Sequence, residues 1–169
     1  TGAAMGAASE APAEPVEALV VGAGPAGLMA AETLAAHGLR VVVAEAMPTP
    51  ARKFLMAGKS GLNLTKDEPA EVFAARVAGG AAPASLRDAP PGYLNEEELR
   101  SIVEGFGPAD VMDWARGLGI ALFAGSTGRV FPVGMKASPL LRAWLARLAS
   151  QGDELRVRWR WTGFADEGL

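Results

Sequence analysis

Three glycines and one carboxylate carry the clearest chemical signal in this sequence. Gly22, Gly24 and Gly27 form a Gly-x-Gly-x-x-Gly pattern, and Glu45 follows Gly27 by 18 residues. In such a pattern the first glycine permits a tight turn and the second lets the backbone approach a pyrophosphate. The third lets a helix pack closely on its neighbour. A helix opening there directs unpaired backbone N–H groups and its positive dipole end at phosphates. A carboxylate at Glu45 accepts hydrogen bonds from both hydroxyls of an adenosine ribose and repels a 2′-phosphate. The chemistry implied is dinucleotide binding, with NADP disfavoured.

That chemistry requires a strand, a turn, a helix and a second strand, in that order. Leu19 to Val21 supplies the first strand. A small-residue helix runs from the glycine turn to Gly38, with Ala30 and Ala31 continuing its small face. Leu39 to Ala44 supplies the second strand, which stops at Glu45. A lone Gly-x-Gly-x-x-Gly is weak evidence in an Ala- and Gly-rich chain, and the context gives it weight. The bland alternative is a buried βαβ unit with an incidental glycine turn.

Composition narrows the rest. The 169 residues are half hydrophobic and about a fifth charged, which fits one globular domain with a real core. The net charge of −3 and the lack of a polybasic tract give no reason to expect nucleic acid or a membrane surface. There is no cysteine, which removes disulfides, thiolate metal sites and a cysteine nucleophile. The single histidine, His37, sits before Gly38, where a cation complements a helix C-terminus, and no histidine-centred metal site or Ser-His-Asp triad is supported. The longest apolar run, Ala18 to Ala31, is broken by glycines and a proline and reads as no membrane span. Residues 1–15 read as a flexible tail on a cytoplasmic protein. The turn-like Ala165-Asp166-Glu167-Gly168 near the end looks like the middle of a β-hairpin, so residues 16–169 are expected to be the N-terminal portion of a longer protein.

Beyond Glu45, Pro48 and Pro50 force an extended exit. Gly58-Lys59-Ser60 invites a P-loop reading, but that motif needs glycine at position 53, which is Lys53. The stretch from Arg52 to Thr65 fits better as a second loop over a cofactor. Arg52 and Lys53 would lie near phosphate, and Gly58, Ser60 and Gly61 would offer N–H groups; the alternative is a solvated basic turn. A helix is expected from about Glu68 to Val77. Asn95 with Glu98 makes a capping box for another, and Pro108 starts a third with Val111, Trp114 and Leu118 inward. Ile120 to Ala124 and Arg129 to Phe131 flank Gly125 to Gly128 as a hairpin. Ser138 is expected to cap a helix whose Leu140, Leu141, Trp144, Leu145 and Leu148 form a core stripe ended by Gly152. From Leu155 to Trp161, arginines alternate with apolar residues. This pattern resembles a single-strand nucleic-acid platform, but a period of two puts the two sets on opposite faces, which favours a half-exposed strand.

Three stretches together resemble one family: Val20 to Leu28, Arg52 to Thr65, and Gly128-Arg129-Val130-Phe131-Pro132 followed by Lys136-Ala137. They are similar to the YhiN/BaiN-like (aminoacetone-oxidase-like) FAD-dependent flavoproteins. The resemblance implies an α/β, Rossmann-like FAD-binding domain of glutathione-reductase type, incomplete here, with a helical excursion and β-hairpins. By resemblance, members are roughly twice this length, with a second, substrate-facing domain and a later return to the FAD. The second stretch of the family usually reads Ser-Gly-Gly-Gly-Arg-Cys-Asn-x-Thr. Here Gly58, Asn63 and Thr65 match, while Gly61 and Leu62 replace its arginine and cysteine. The resemblance implies Gly22, Gly24, Ala26, Gly27 and Glu45 for the ADP half of FAD, and the neighbouring Pro25 and Ala46 are candidate cofactor-binding residues beside them. The resemblance also implies Arg52, Lys53, Gly58 and Asn63 near the pyrophosphate or flavin, where Ser60 and Gly61 are the candidates already read as backbone N–H donors.

The expected activity is a flavin-dependent oxidoreductase acting on a small organic substrate, with NAD(P)H a candidate electron donor and no catalytic side chain identified. Two alternatives stand beside it. An NAD-dependent dehydrogenase would use the same glycines and Glu45. A non-enzymatic nucleotide-binding module with an RNA-related role would rest on the Arg156, Arg158 and Arg160 face alone.

Overall fold

The computed structural model describes residues 16–78 and 95–163. The residues expected to form the tail and the turn of the C-terminal hairpin lie outside that set. The chain divides into two compact units, Thr1–Pro50 with Leu148–Leu169, and Ala51–Arg147.

The first unit is built on a parallel sheet of strands β1 (Ala18–Val21), β2 (Val41–Glu45) and β6 (Glu154–Val157), ordered β1-β2-β6. Helix α1 (Pro25–Ala36) crosses over from β1 to β2 and packs on both. Val41 to Ala44 are all buried, as a central strand with neighbours on both edges requires, and their unbroken apolar run is the sequence signature of that position. Leu28 and Ala31 on α1 are fully buried. Ala30 is exposed instead of continuing the small face, because at 100° per residue it lies off the row made by Gly27, Leu28 and Ala31. His37 closes the helix end locally, its Nδ1 lying 2.8 Å from the Thr33 carbonyl oxygen.

The alternating segment after Gly152 forms a strand only as far as Val157. Arg158 adopts a left-handed φ of 60°, which breaks the period of two. The chain nevertheless stays on β2, since Arg158 N–H donates to Met47 O at 3.2 Å and Trp159 N–H to Glu45 O at 2.9 Å. The break also overturns the opposite-face expectation. Arg156 and Trp159 share a side, with the guanidinium 4.4 Å from the ring centroid. Arg156 is further held by Glu154, at 2.7 and 2.6 Å, so the continuous arginine face is not formed.

The second unit contains an antiparallel sheet of β3 (Thr65–Lys66), β5 (Arg129–Pro132) and β4 (Leu122–Ala124), ordered β3-β5-β4. The β4–β5 pair is the expected hairpin, with Phe123 and Phe131 stacked at 5.7 Å. Helices α3 (Ala70–Ala78), α4 (Glu96–Gly105) and α5 (Pro108–Gly117) make the helical excursion, α3 packing on α4 and α5. The capping box of α4 is formed as read, with Glu98 N–H to Asn95 Oδ1 at 2.9 Å and Asn95 N–H to Glu98 Oε2 at 2.8 Å. Arg52–Ala57, expected as loop, is a short helix, α2, entered through a left-handed Ala51.

Helix α6 (Ala137–Gln151) starts one residue before the expected Ser138 cap, so Pro139 stands in its first turn, where a missing N–H costs nothing. Within the second unit its Leu140, Leu141 and Trp144 are buried. Trp144 meets Trp114 edge to face at 4.7 Å, which makes the stripe core. Among the described residues, no helix is long and apolar enough to cross a membrane.

Candidate cofactor site

In the first unit, β1 delivers the chain to Gly22, whose φ of 97° makes the turn and whose N–H bonds Ala44 O at 2.8 Å. Gly24 is the residue preceding α1, Pro25 occupies the first helical position, and no side chain caps the helix N-terminus. The two remaining glycines differ in a way that separates their roles. A β-carbon on Gly27 would lie 2.0 Å from Gly22 O and 3.2 Å from Val20 Cγ1, so helix and strand touch backbone to backbone there. A β-carbon on Gly24 would meet nothing within 4 Å.

Glu45 ends β2 beside that turn. Its Oε2 accepts the Ala23 N–H at 2.9 Å and its Oε1 accepts the Met47 N–H at 2.8 Å. Each oxygen keeps further lone-pair capacity for hydroxyl donors. Ala46 follows, half-buried. The structure thus brings Gly22, Gly24, Pro25, Ala26, Gly27, Glu45 and Ala46 to the C-terminal end of the parallel strands, the place where open α/β sheets take ligands. Ala23 belongs with them and escaped the sequence argument. Its role is a buried backbone N–H that orients Glu45, and nothing in its side chain announces it.

The remaining expected site residues lie in the second unit. Arg52 and Lys53 are exposed on the first turn of α2. Gly58 does not offer its N–H outward, because that group donates to Phe54 O at 3.1 Å and closes α2. Its lack of a side chain is explained by Ala137, whose Cβ would stand 2.5 Å from an added β-carbon. Two of the motifs that carry the family resemblance therefore meet at Gly58 and Ala137. Ser60 and Asn63 are exposed, and Gly61 takes a φ of 126° against Met135. Among the described residues, no group of three or more His, Asp or Glu side chains is placed to hold a metal ion.

Comparison with known proteins bears on the family and the fold. Residues 16–168 match the family described as HI0933-like protein Rossmann domain. The 3-ketosteroid-Δ4-(5α)-dehydrogenase from Rhodococcus jostii RHA1, solved with 4-androstene-3,17-dione, is similar in fold with a TM-score of 0.54. The match has 16% identity over 85% of this chain and 38% of that one. THI4 of Thermovibrio ammonificans aligns with a TM-score of 0.49 and 15% identity, over 84% of this chain and 38% of that one. The chain spans 38% of the length of each of these two structures. No curated protein sequence matches it. A family match over nearly the whole chain, on a parallel sheet with the glycine turn and Glu45 at its C-terminal end, places the protein in the HI0933-like family of FAD-binding Rossmann proteins.

Proposed function

We propose that this chain is the cofactor-holding part of an FAD-dependent oxidoreductase, with Gly22 to Gly27 at the pyrophosphate and Glu45 and Ala46 at the adenosine ribose. The observation that supports it is the open space at Gly24. Its φ of −80° suits any residue and its missing side chain would touch nothing, so the fold by itself does not require glycine there. A phosphate group brought against the backbone does require it. The uncapped N-terminus of α1 and the carboxylate of Glu45 complete a site of matching polarity for phosphate and ribose hydroxyls.

The flavin supplies the exchange of hydride or electrons with a substrate, while the chain binds and orients the ADP half. The family is one of FAD-dependent oxidoreductases, and the relative that shares the fold at a TM-score of 0.54 is a dehydrogenase by name, which supports the activity for the whole protein. We also propose Arg52, Lys53, Ser60, Gly61 and Asn63 as contacts to pyrophosphate or flavin; Gly58 is left out because its N–H closes α2 and its bare Cα packs on Ala137. Gly58 and Asn63 match the family pattern, whereas Gly61 and Leu62 replace its arginine and cysteine, so any contact made by those two side chains is absent here.

The substrate is a small organic molecule, NAD(P)H serves as electron donor, and the setting is cytoplasmic. Purified protein is expected to be yellow and to release FAD on denaturation. A colourless protein that releases no flavin and gains no thermal stability from added FAD would end this assignment. Anaerobic addition of NADH or NADPH should bleach the visible absorption, and an unchanged spectrum would remove the donor. Fractionation of the native cells tests the location.

A further inference from the structure

The second unit holds a concavity of about 590 Å³ whose wall is cationic. Lys66 on β3 and Arg129 on β5 are direct partners in the antiparallel register, so two positive side chains stand opposite each other. Like charges placed so are destabilising unless an anion lies between them. Arg76 and Phe73, three residues apart on one face of α3, line the same space, with Thr127 and Asn63 adding polar groups. One carboxylate serves this cluster. Glu68 accepts from Lys66 Nζ at 2.9 Å and from Arg76 Nη2 at 2.8 Å, and these bonds, Arg76 first and Lys66 second, hold its carboxyl below the ordinary range. Arg129 has no ion-pair partner among the described residues. Three cations against one carboxylate leave the concavity with a local excess of positive charge in a chain whose net charge is −3.

We propose that this concavity binds a small oxyanion-bearing molecule, an organic acid or a phosphate ester. Its anionic group sits between Arg129 and Lys66, and its apolar part lies on Phe73. The planar guanidinium of Arg129 suits two-point contact with a carboxylate or phosphate, and the surrounding like charges focus the field that draws an anion in. Glu68 limits the capture by holding Lys66 and Arg76 partly neutralised. The lining residues all belong to the second unit, and the only one shared with the proposed flavin contacts is Asn63.

The test is calorimetric titration of the FAD-loaded protein with inorganic phosphate and, separately, with succinate, at low ionic strength so that the electrostatics are not screened. Saturable binding is expected in both titrations. Arg129→Gln should weaken it on the order of ten- to a hundredfold, the effect of removing one charged hydrogen-bonding group. Arg129→Lys should restore part of the loss, and Glu68→Gln should tighten binding. Arg142→Gln, on exposed helix surface outside the concavity, should change nothing. FAD content and thermal midpoint of each variant show that it is folded; if Arg129→Gln is not, Lys66→Gln replaces it in the comparison. Absence of saturable binding overturns the proposal, as does equal affinity in the folded cavity variants. Binding that occurs only after FAD has been stripped overturns it too, because the anion held there would then be the cofactor's own phosphate. Loss of FAD retention, by contrast, would bear on the cofactor assignment and not on this one.

Discussion

Substituting alanine for Gly27 and for Gly24, one at a time, should separate the packing role of this turn from its ligand role. In Gly27→Ala the new β-carbon starts 2.0 Å from Gly22 O, so helix and strand must part by about 1 Å or more. That carbonyl cannot swing away freely, since the same residue's N–H is bonded to Ala44 O at 2.8 Å and ties β1 to β2. Overpacking against backbone falls at the upper end of the usual range, about 3 kcal/mol, and the better helix propensity of alanine returns about 1 kcal/mol. A net loss of about 2 kcal/mol is expected, which is roughly a 4–8 °C drop in thermal midpoint for a chain of this size. Gly24→Ala meets no atom and needs no strained φ. A weaker N-terminal residue for the helix and a less flexible unfolded chain nearly cancel there, leaving stability within about 0.5 kcal/mol. Its FAD affinity should nevertheless fall at least about tenfold, or 1.4 kcal/mol, because the added methyl occupies the space proposed for the pyrophosphate. Urea denaturation of the flavin-free proteins and fluorescence titration with FAD measure the two effects. Wild-type FAD affinity in Gly24→Ala would refute the pyrophosphate placement, and undiminished stability in Gly27→Ala would refute the close contact.

Three further substitutions probe other parts of the structure. Glu45→Gln leaves one acceptor oxygen where two backbone N–H groups, of Ala23 and Met47, now bond. It should cost about 1–2 kcal/mol in stability and about tenfold in FAD affinity, by denaturation and titration. Both carboxylate oxygens of Asp153 are buried without a hydrogen-bond partner, and burial, followed by the charge of Glu32, raises its pKa. The folded state then holds that proton more tightly than the unfolded chain. Ionisation penalises the fold above the raised pKa, and the penalty is relieved as pH falls through it. Asp153→Asn should therefore raise the thermal midpoint at pH 7 and remove that part of the acid-side gain; a lower midpoint at pH 7 would contradict this. Asn95→Ala should cost about 1 kcal/mol by removing the α4 cap, checked by urea denaturation.

Much of the fold is legible along the chain because it depends on local chemistry. The turn at Gly22 to Gly27, the helix behind it, the apolar run of β2, the capping box at Asn95 and the Gly125 to Gly128 hairpin each rest on residues close in sequence, and each formed as read. The short helix α2 was missed. Six residues flanked by prolines and glycines, with Arg52 and Lys53 set against the dipole at its start, carry no helical signal of their own. The close approach of Gly58 to Ala137 at its end is a contact between residues far apart in the chain.

Sequence alone determined the strand, the glycine turn, the helix and the acidic strand end, because turn chemistry and hydrophobic periodicity are set within a few residues. Tertiary structure alone decided which distant segments meet within each unit. It made β6 the parallel neighbour of β2, turned the alternating arginines at Arg158 so that Arg156 meets Trp159, and joined Ala23 N–H to Glu45. It also set Lys66 opposite Arg129. These are pairings between distant segments, and which segments meet is decided by the packing of the whole unit.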